Sequence, residues 1–381
     1  VPAILGSPPA FPDGPPPWPP PNENVAAAVQ VALASGRWGQ YHGPCVATLE
    51  TQLTATFGVP HAITCASGTL AVEAALRSVG VAAGDEVILA AYEYESNFLT
   101  LHALGAKPVL VDVSPGNWNL DPAQLATAIG PKTKAILVSH LHSGLVPMNA
   151  VLAVADAHGI AVVEDAAQCP GATIGPRQCG SFGSVGTLSF GGSKLLSAGR
   201  GGALLFRESR AYQRAKLWLN RGVQPWAPLS ELQATVVLPQ LANLDADTQR
   251  RLASVQFLRE RPVPGLQVFD NGSAVQTPAF YKAGFRYDPA AFGLPRELFC
   301  RAMRAEGIAF DVGFKALHLG RSPSRFRAVG DLAEATRASE NCVKLHHPVL
   351  LHPPDVLERV ARTIENVYRN AVRIRAAFPP S

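Results

Sequence analysis

From Pro60 to Phe206 short β-rich runs alternate with helical patterns, and that alternation dictates the layering of the chain. The pattern predicts strands at His61–Cys65, Glu86–Ala90, Pro108–Val113, Ala135–Ser139 and Ile160–Glu164. It predicts helices between them at Leu70–Val79, Ser96–Leu104, Pro122–Ile129 and Met148–Ala157. Strands separated by helix-length segments make βαβ crossovers, so the sheet must be mostly parallel and covered by helices on both faces. Such an α/β sheet binds ligands beyond the carboxyl ends of its strands, and the polar motifs fall there.

Helical segments follow at Arg210–Leu219 and from Leu229 to about Leu258, the latter expected to break near Pro239. Arg261-Pro262-Val263-Pro264-Gly265 reads as a boundary, and beyond it strand-like pieces mix with helices at Arg296–Glu306 and Pro354–Ala376. Ser7 to Pro21 is too proline-rich for a helix or central strand and reads as an extended arm, with Asn24 capping the next helix. The expected organisation is an arm (1–23), a large domain (24–260) and a smaller α+β domain (261–381).

Hydrophobic residues make up 47% and charged residues 16%, so a chain of 381 residues can bury a substantial core. A net charge of +4 without a lysine or arginine run argues against a nucleic-acid partner. The apolar runs are too short to span a membrane, and Val1 to Leu5 lacks the features of an export signal. Six scattered cysteines without Cys-x-x-Cys pairs fit reduced thiols in a cytoplasmic protein. Cys169 and Cys179 match no zinc spacing.

The chemistry concentrates in three places. Ser67-Gly68-Thr69 lies where a strand turns into a helix and suits a phosphate, or is an ordinary capped turn. Asp165 ends the apolar run Ile160–Val163, where a carboxylate needs either a cationic ligand or a salt bridge. Lys194 closes Ser-Phe-Gly-Gly-Ser-Lys (Ser189–Lys194), in a loop rather than on a helix face, and Gly199-Arg200-Gly201-Gly202 follows. An amine to hold an aldehyde as a Schiff base and a carboxylate for a ring nitrogen are what pyridoxal 5'-phosphate (PLP) requires. Ser189 either offers its hydroxyl to the same phosphate or faces the core, and Tyr94 either stacks on a planar cofactor or packs.

Together these residues resemble the DegT/DnrJ/StrS group of PLP-dependent sugar aminotransferases. Gly36-Arg37-Trp38, Ser67–Thr69, Gly84–Ile88, Glu164-Asp165-Ala166-Ala167-Gln168, Leu188-Ser189-Phe190 to Lys194, Gly199–Gly202 and Ser230–Ala234 carry the resemblance. It implies the type I PLP-transferase fold, a three-layer α/β architecture on a mostly parallel seven-stranded sheet, with a smaller α+β C-terminal domain. It also implies Lys194 as Schiff-base lysine and proton shuttle, Asp165 on the ring nitrogen and Gln168 on the ring's hydroxyl side. Tyr94 would stack on the ring, Ser67, Gly68, Thr69 and Ser189 would hold the phosphate, and His318 would lie near the substrate.

By the same resemblance an amino group passes from glutamate or glutamine to a keto-sugar nucleotide or keto-cyclitol, in a homodimer. Two other activities share these residues: an aminohydroxybenzoate-synthase-like dehydration, which Leu345-His346-His347-Pro348 resembles, and a non-catalytic PLP-binding homologue. The chain also departs from the group. Trp226 and Pro228 stand where Asn and Arg are expected, and Arg200 replaces a common Glu. The contact that the Asn makes to the neighbouring subunit's phosphate is therefore not carried over.

Overall fold

The apolar runs become strands because β-branched and leucine side chains fill both faces of a sheet buried between helices. The computed structural model describes residues 1–221, 224–272 and 275–379. The sheet comprises β1 (His61–Cys65), β2 (Glu86–Ala90), β3 (Lys107–Val111), β4 (Thr133–Ser139), β5 (Ala161–Asp165), β6 (Val185–Ser189) and β7 (Gly202–Phe206). Their spatial order is β1-β7-β6-β5-β4-β2-β3, and β7 runs antiparallel to both of its neighbours. The remaining pairings within it are parallel.

The sheet has eight strands rather than the seven expected. Arg327–Ala328 adds in parallel to the outer edge of β3, pinned by Arg327 to Glu86 (2.9 Å) and to the carbonyl of Ala128. Two residues carry no readable periodicity, so this strand is invisible in the sequence.

Other boundaries shift for local reasons. The first helix is Glu23–Ser35, and its cap is Asn22, whose side chain accepts from the Val25 amide, not Asn24. A helix at Pro44–Phe57, not anticipated above, buries Leu49, Leu53 and Phe57 against the sheet. The expected long helix breaks at Asn243 into Glu231–Ala242 and Leu244–Arg259, with Pro239 lying inside the first piece. The last splits at Asn370 into Pro354–Arg369 and Ala371–Ala377.

A four-stranded antiparallel sheet, Leu266–Val268, Lys282–Tyr287, Cys342–His346 and Phe310–Val312, builds a second core around Phe285, Phe299, Phe310 and Val360. The N-terminal arm anchors on it. Phe11 is buried there, and Glu306 accepts hydrogen bonds from the amides of Ala3 and Ala10. From that anchor the arm runs toward the Lys194 loop, where the Trp18 indole donates to the Lys194 carbonyl at 3.0 Å and packs edge-on against His347. No helix among the described residues is long and apolar enough to cross a membrane.

Candidate active site

A cavity of about 360 Å³ opens at the carboxyl ends of β1, β5 and β6. Ser67, Gly68, Thr69, Tyr94, Asp165, Gln168, Ser189 and Lys194 all line it, and Asn97, His140 and Arg200 join them.

At one end the helix Gly68–Ser78 begins directly after β1. Its first-turn amides lack intrahelical partners, and the helix dipole favours negative charge there. The Ser67 hydroxyl accepts from the Leu70 amide at 3.1 Å and is the helix cap. Gly68 is required by space: a Cβ there would stand 2.7 Å from the Cβ of Ser189 and 2.9 Å from its hydroxyl oxygen. The Gly202 position is equally close to the backbone of Ser67. Backbone, a hydroxyl and a helix start thus converge on a space that a side chain would otherwise fill, and this cradle fits a phosphate.

At the other end Asp165 is buried, 7% exposed. One carboxylate oxygen accepts from the Asn97 amide at 3.0 Å, the other from the Ala167 backbone (3.0 Å) and the Thr187 hydroxyl (3.3 Å). No arginine, lysine or histidine forms an ion pair with it among the described residues. A buried carboxylate so oriented and without an ion-pair partner fits a ligand that brings a cationic N–H. The adjacent Glu164 points to the opposite face of β5, where the amides of Gly180, Phe182 and Gly183 and the His140 ring satisfy it.

Sequence reading missed the support for Asp165. Thr187 lies two positions before Ser189 on β6 and so shares its face, a period-2 signal that was available. Asn97 binds Asp165, Ser139 (3.1 Å) and Glu93 (3.4 Å) at once. Glu93 is 1% exposed, and burial together with the charge of Asp165 pushes its carboxyl up to about 8. Nothing local in Tyr92-Glu93-Tyr94 announced this, because the contact is made across the sheet.

Lys194 sits over the face of Tyr281, its Nζ 4.6 Å from the ring centre, while Ser193 holds the Tyr281 hydroxyl at 2.8 Å. Burial lowers the ammonium below the usual lysine range, against the opposing pull of Asp165 and Cys169. The shift lowers the cost of reaching the neutral, nucleophilic form of the amine. Gln168 accepts the His142 amide through Oε1 at 3.0 Å. Tyr94 is 45% exposed at the mouth, 5.8 Å from Phe314.

His318 does not line the cavity. Its Nε2 lies 2.9 Å from the Thr336 hydroxyl, on the neighbouring helix. Cys169 and Cys179 do meet His140, within 4.8 Å. Both nitrogens of that ring are already engaged, by Glu164 (3.1 Å) and by the Val146 amide (3.1 Å). Trp226 packs edge-on against Trp218 of its own chain, 5.0 Å between centroids. Of the stretch 224–228, the side chain of Gln224 lies outside the described residues.

The DegT/DnrJ/EryC1/StrS aminotransferase family model matches residues 21–365. The chain is 32% identical to an L-glutamine:2-deoxy-scyllo-inosose aminotransferase of Streptoalloteichus tenebrarius, over 95% of this chain and 96% of that protein. It is also 32% identical to an L-glutamine:scyllo-inosose aminotransferase of Streptomyces griseus, over 93% and 94%. Among solved structures, DesI in the presence of its TDP-sugar product superposes with a TM-score of 0.87 at 25% identity, covering 99% of each chain. A 3-amino-5-hydroxybenzoic acid synthase gives 0.83 at 29%, covering 94% of this chain and 98% of that one. Fold, cavity and likeness agree: the chain belongs to the DegT/DnrJ/EryC1/StrS aminotransferases and has their type I fold.

Proposed function

We propose that the protein is a PLP-dependent transaminase that moves the amino group of L-glutamine onto a keto-cyclitol. The observation that carries this is the single cavity lined by Lys194, Asp165 and the Gly68 cradle, since the three supply an amine, a carboxylate and a phosphate seat. Relatives named for L-glutamine and scyllo-inosose substrates support the donor and the acceptor class. Bound PLP supplies an aldehyde carbon for an amine and a protonated ring that draws electrons from the donor's α-carbon.

In this reading the first-turn amides at Gly68 and Thr69, with the Ser189 hydroxyl, bind the phosphate, and Tyr94 covers the ring at the mouth. Asp165, oriented by Asn97 and Thr187, holds the ring N–H. Gln168 keeps its NH2 for the ring hydroxyl because its carbonyl is occupied by the His142 amide. Lys194, half-buried and with its neutral form less costly to reach, takes and returns the proton at the α-carbon. The same reading makes residues 1–23 an arm, 24–260 the cofactor domain and 261–381 the smaller domain of a cytoplasmic homodimer.

Borohydride reduction of the PLP-loaded protein followed by peptide mapping should place the pyridoxyl group on Lys194. L-Glutamine should then change the cofactor's absorption, and scyllo-inosose or its 2-deoxy analogue should restore it. A tag on another residue, or a spectrum indifferent to L-glutamine, refutes the proposal. The likeness to 3-amino-5-hydroxybenzoic acid synthase supports a second reading, dehydration of an aminocyclohexenone. Release of an aromatic product without consumption of L-glutamine would select it.

A further inference from the structure

Beside the cavity lies a group of cations that the proposed transfer, as described so far, does not use. Lys282 and Lys344 stand on adjacent antiparallel strands, with Lys282 opposite His346 and Lys344 opposite Gly284. That register puts both ammonium groups diagonally on one face of the small sheet, while Ala283, Phe285, Val343 and Leu345 fill the other. Both lysines are half-buried, and neither has a carboxylate or hydrogen-bonding partner for its ammonium among the described residues. Asp311 lies opposite Lys344 on the next strand, but its carboxylate is held by Arg304, so the diagonal pair of like charges keeps no acid of its own.

The pair adjoins the site through shared rings. Lys282 Nζ is 5.4 Å from the centre of Tyr281, the ring that also carries Lys194 at 4.6 Å. Lys344 Nζ is 4.9 Å from Phe314, which touches Tyr94 at the mouth.

A second observation is independent of the lysines. His142 is 1% exposed, and both of its ring nitrogens lack hydrogen-bond partners. The ring packs 4.6 Å from Phe314, and the charges that bear on it are Lys344, Lys282 and Lys194. His142 and Ser143 both hold positive φ, 54° and 67°, an uncommon conformation for side-chain-bearing residues. The strain is held by contacts to the lysine strand itself: Ser143 donates to the Lys282 carbonyl (2.8 Å), and the Gly284 amide donates to the His142 carbonyl (2.9 Å).

We propose that Lys282 and Lys344 form the subsite that binds a carboxylate of the amino donor, beside Lys194 and backed by His142. This rests on the transaminase reading and deepens it by assigning where the donor's negative charge sits. Two ammonium groups beside the cavity, with a buried imidazole behind them, suit a carboxylate or a phosphate, and the carboxylate is favoured because the proposed donor carries one whereas a keto-cyclitol carries no phosphate.

Glutarate tests this without chemistry at Lys194, since it presents a carboxylate on a chain of glutamine's length and has no amine. Calorimetric titration of the PLP-loaded protein should show glutarate binding that falls at least about tenfold in Lys282→Met and in Lys344→Met. The double variant should bind none. Lys282→Arg and Lys344→Arg, which keep the charge, should stay within about threefold of the parent and so control for folding. Equal glutarate affinity in parent and Met variants, or no binding to the parent, overturns the assignment. Loss of uridine diphosphate binding with glutarate binding intact would assign the lysines to an acceptor's phosphates and overturn it as well. Should L-glutamine fail to change the parent's cofactor spectrum, the transaminase reading itself falls, whatever glutarate does.

Discussion

At the scale of single residues the decisive relation is between two carboxyls joined by one amide. Glu93 and Asp165 both contact Asn97, and burial plus the charge of Asp165 raises Glu93 to about 8 from a usual 4.5. A carboxyl whose value is raised on folding stabilises the fold most at low pH, and that contribution is lost as pH climbs toward 8. The difference is on the order of 4 kcal/mol. Without PLP, urea unfolding of the protein should therefore show Glu93→Gln gaining on the parent by a few kcal/mol between pH 5 and 8.5. A constant gap across that range would mean that Glu93 is ionised throughout. Gly68 gives a second residue-level prediction. Gly68→Ala forces a methyl to within 2.7 Å of Ser189, so PLP affinity by fluorescence titration should fall at least about tenfold, with a stability loss of about 1–3 kcal/mol. Unchanged affinity would remove the cradle from the phosphate's seat.

At the scale of elements the question is what holds the Lys194 loop. The arm reaches it with one side chain, Trp18, whose indole N–H ends on the Lys194 carbonyl and whose ring lies on His347. Deleting the arm would also remove Phe11 from a core and two amides from Glu306, so truncation confounds loop and core. Trp18→Ala is the cleaner probe. It should cost about 2 kcal/mol in unfolding free energy and weaken PLP binding several-fold, while Trp18→Phe, which keeps a smaller aromatic ring and loses the N–H, should cost about 1 kcal/mol. Equal affinities in parent and both variants would reduce the arm to a passive cover. The arm's extended character was legible from its prolines, and its target was not, because nothing in Pro16-Pro17-Trp18 specifies a contact 176 residues away. The same divide runs through the rest of the chain. Asp165 was readable as a polar end to an apolar strand, whereas Asn97, on a helix whose first turn faces the site, became visible only when β2, β4 and β5 were aligned. Leu49, Leu53 and Phe57 did carry a helical i, i+4, i+8 signal for Pro44–Phe57, obscured by the turn residues before it.

At the scale of the whole molecule two groups of exposed apolar side chains, one of them reaching the cavity mouth through Tyr94, are surface that water should not be left to cover. Val31, Leu33, Trp38 and Tyr41 are exposed on and just after the first helix, and Tyr94 and Leu99 are exposed at the start of the helix beyond β2. The two groups are linked through the site, since the helix Glu231–Ala242 packs on the first helix and its Gln233 holds the carbonyl of Arg200, a cavity residue. Exposed apolar surface linked in this way to an active-site residue is a common mark of a subunit seam. A homodimer closed over this face would exclude water from Tyr94 and hold Lys194 in a less polar surrounding than the isolated chain provides. Light scattering should therefore give twice the chain mass. Trp38→Asp with Tyr41→Asp, which sets two carboxylates into the proposed seam, should give the single-chain mass and bind PLP at least about tenfold more weakly. A double variant that remains dimeric with its PLP affinity intact would place the seam elsewhere. A parent that is monomeric yet changes its spectrum with L-glutamine would show that one subunit completes the site alone.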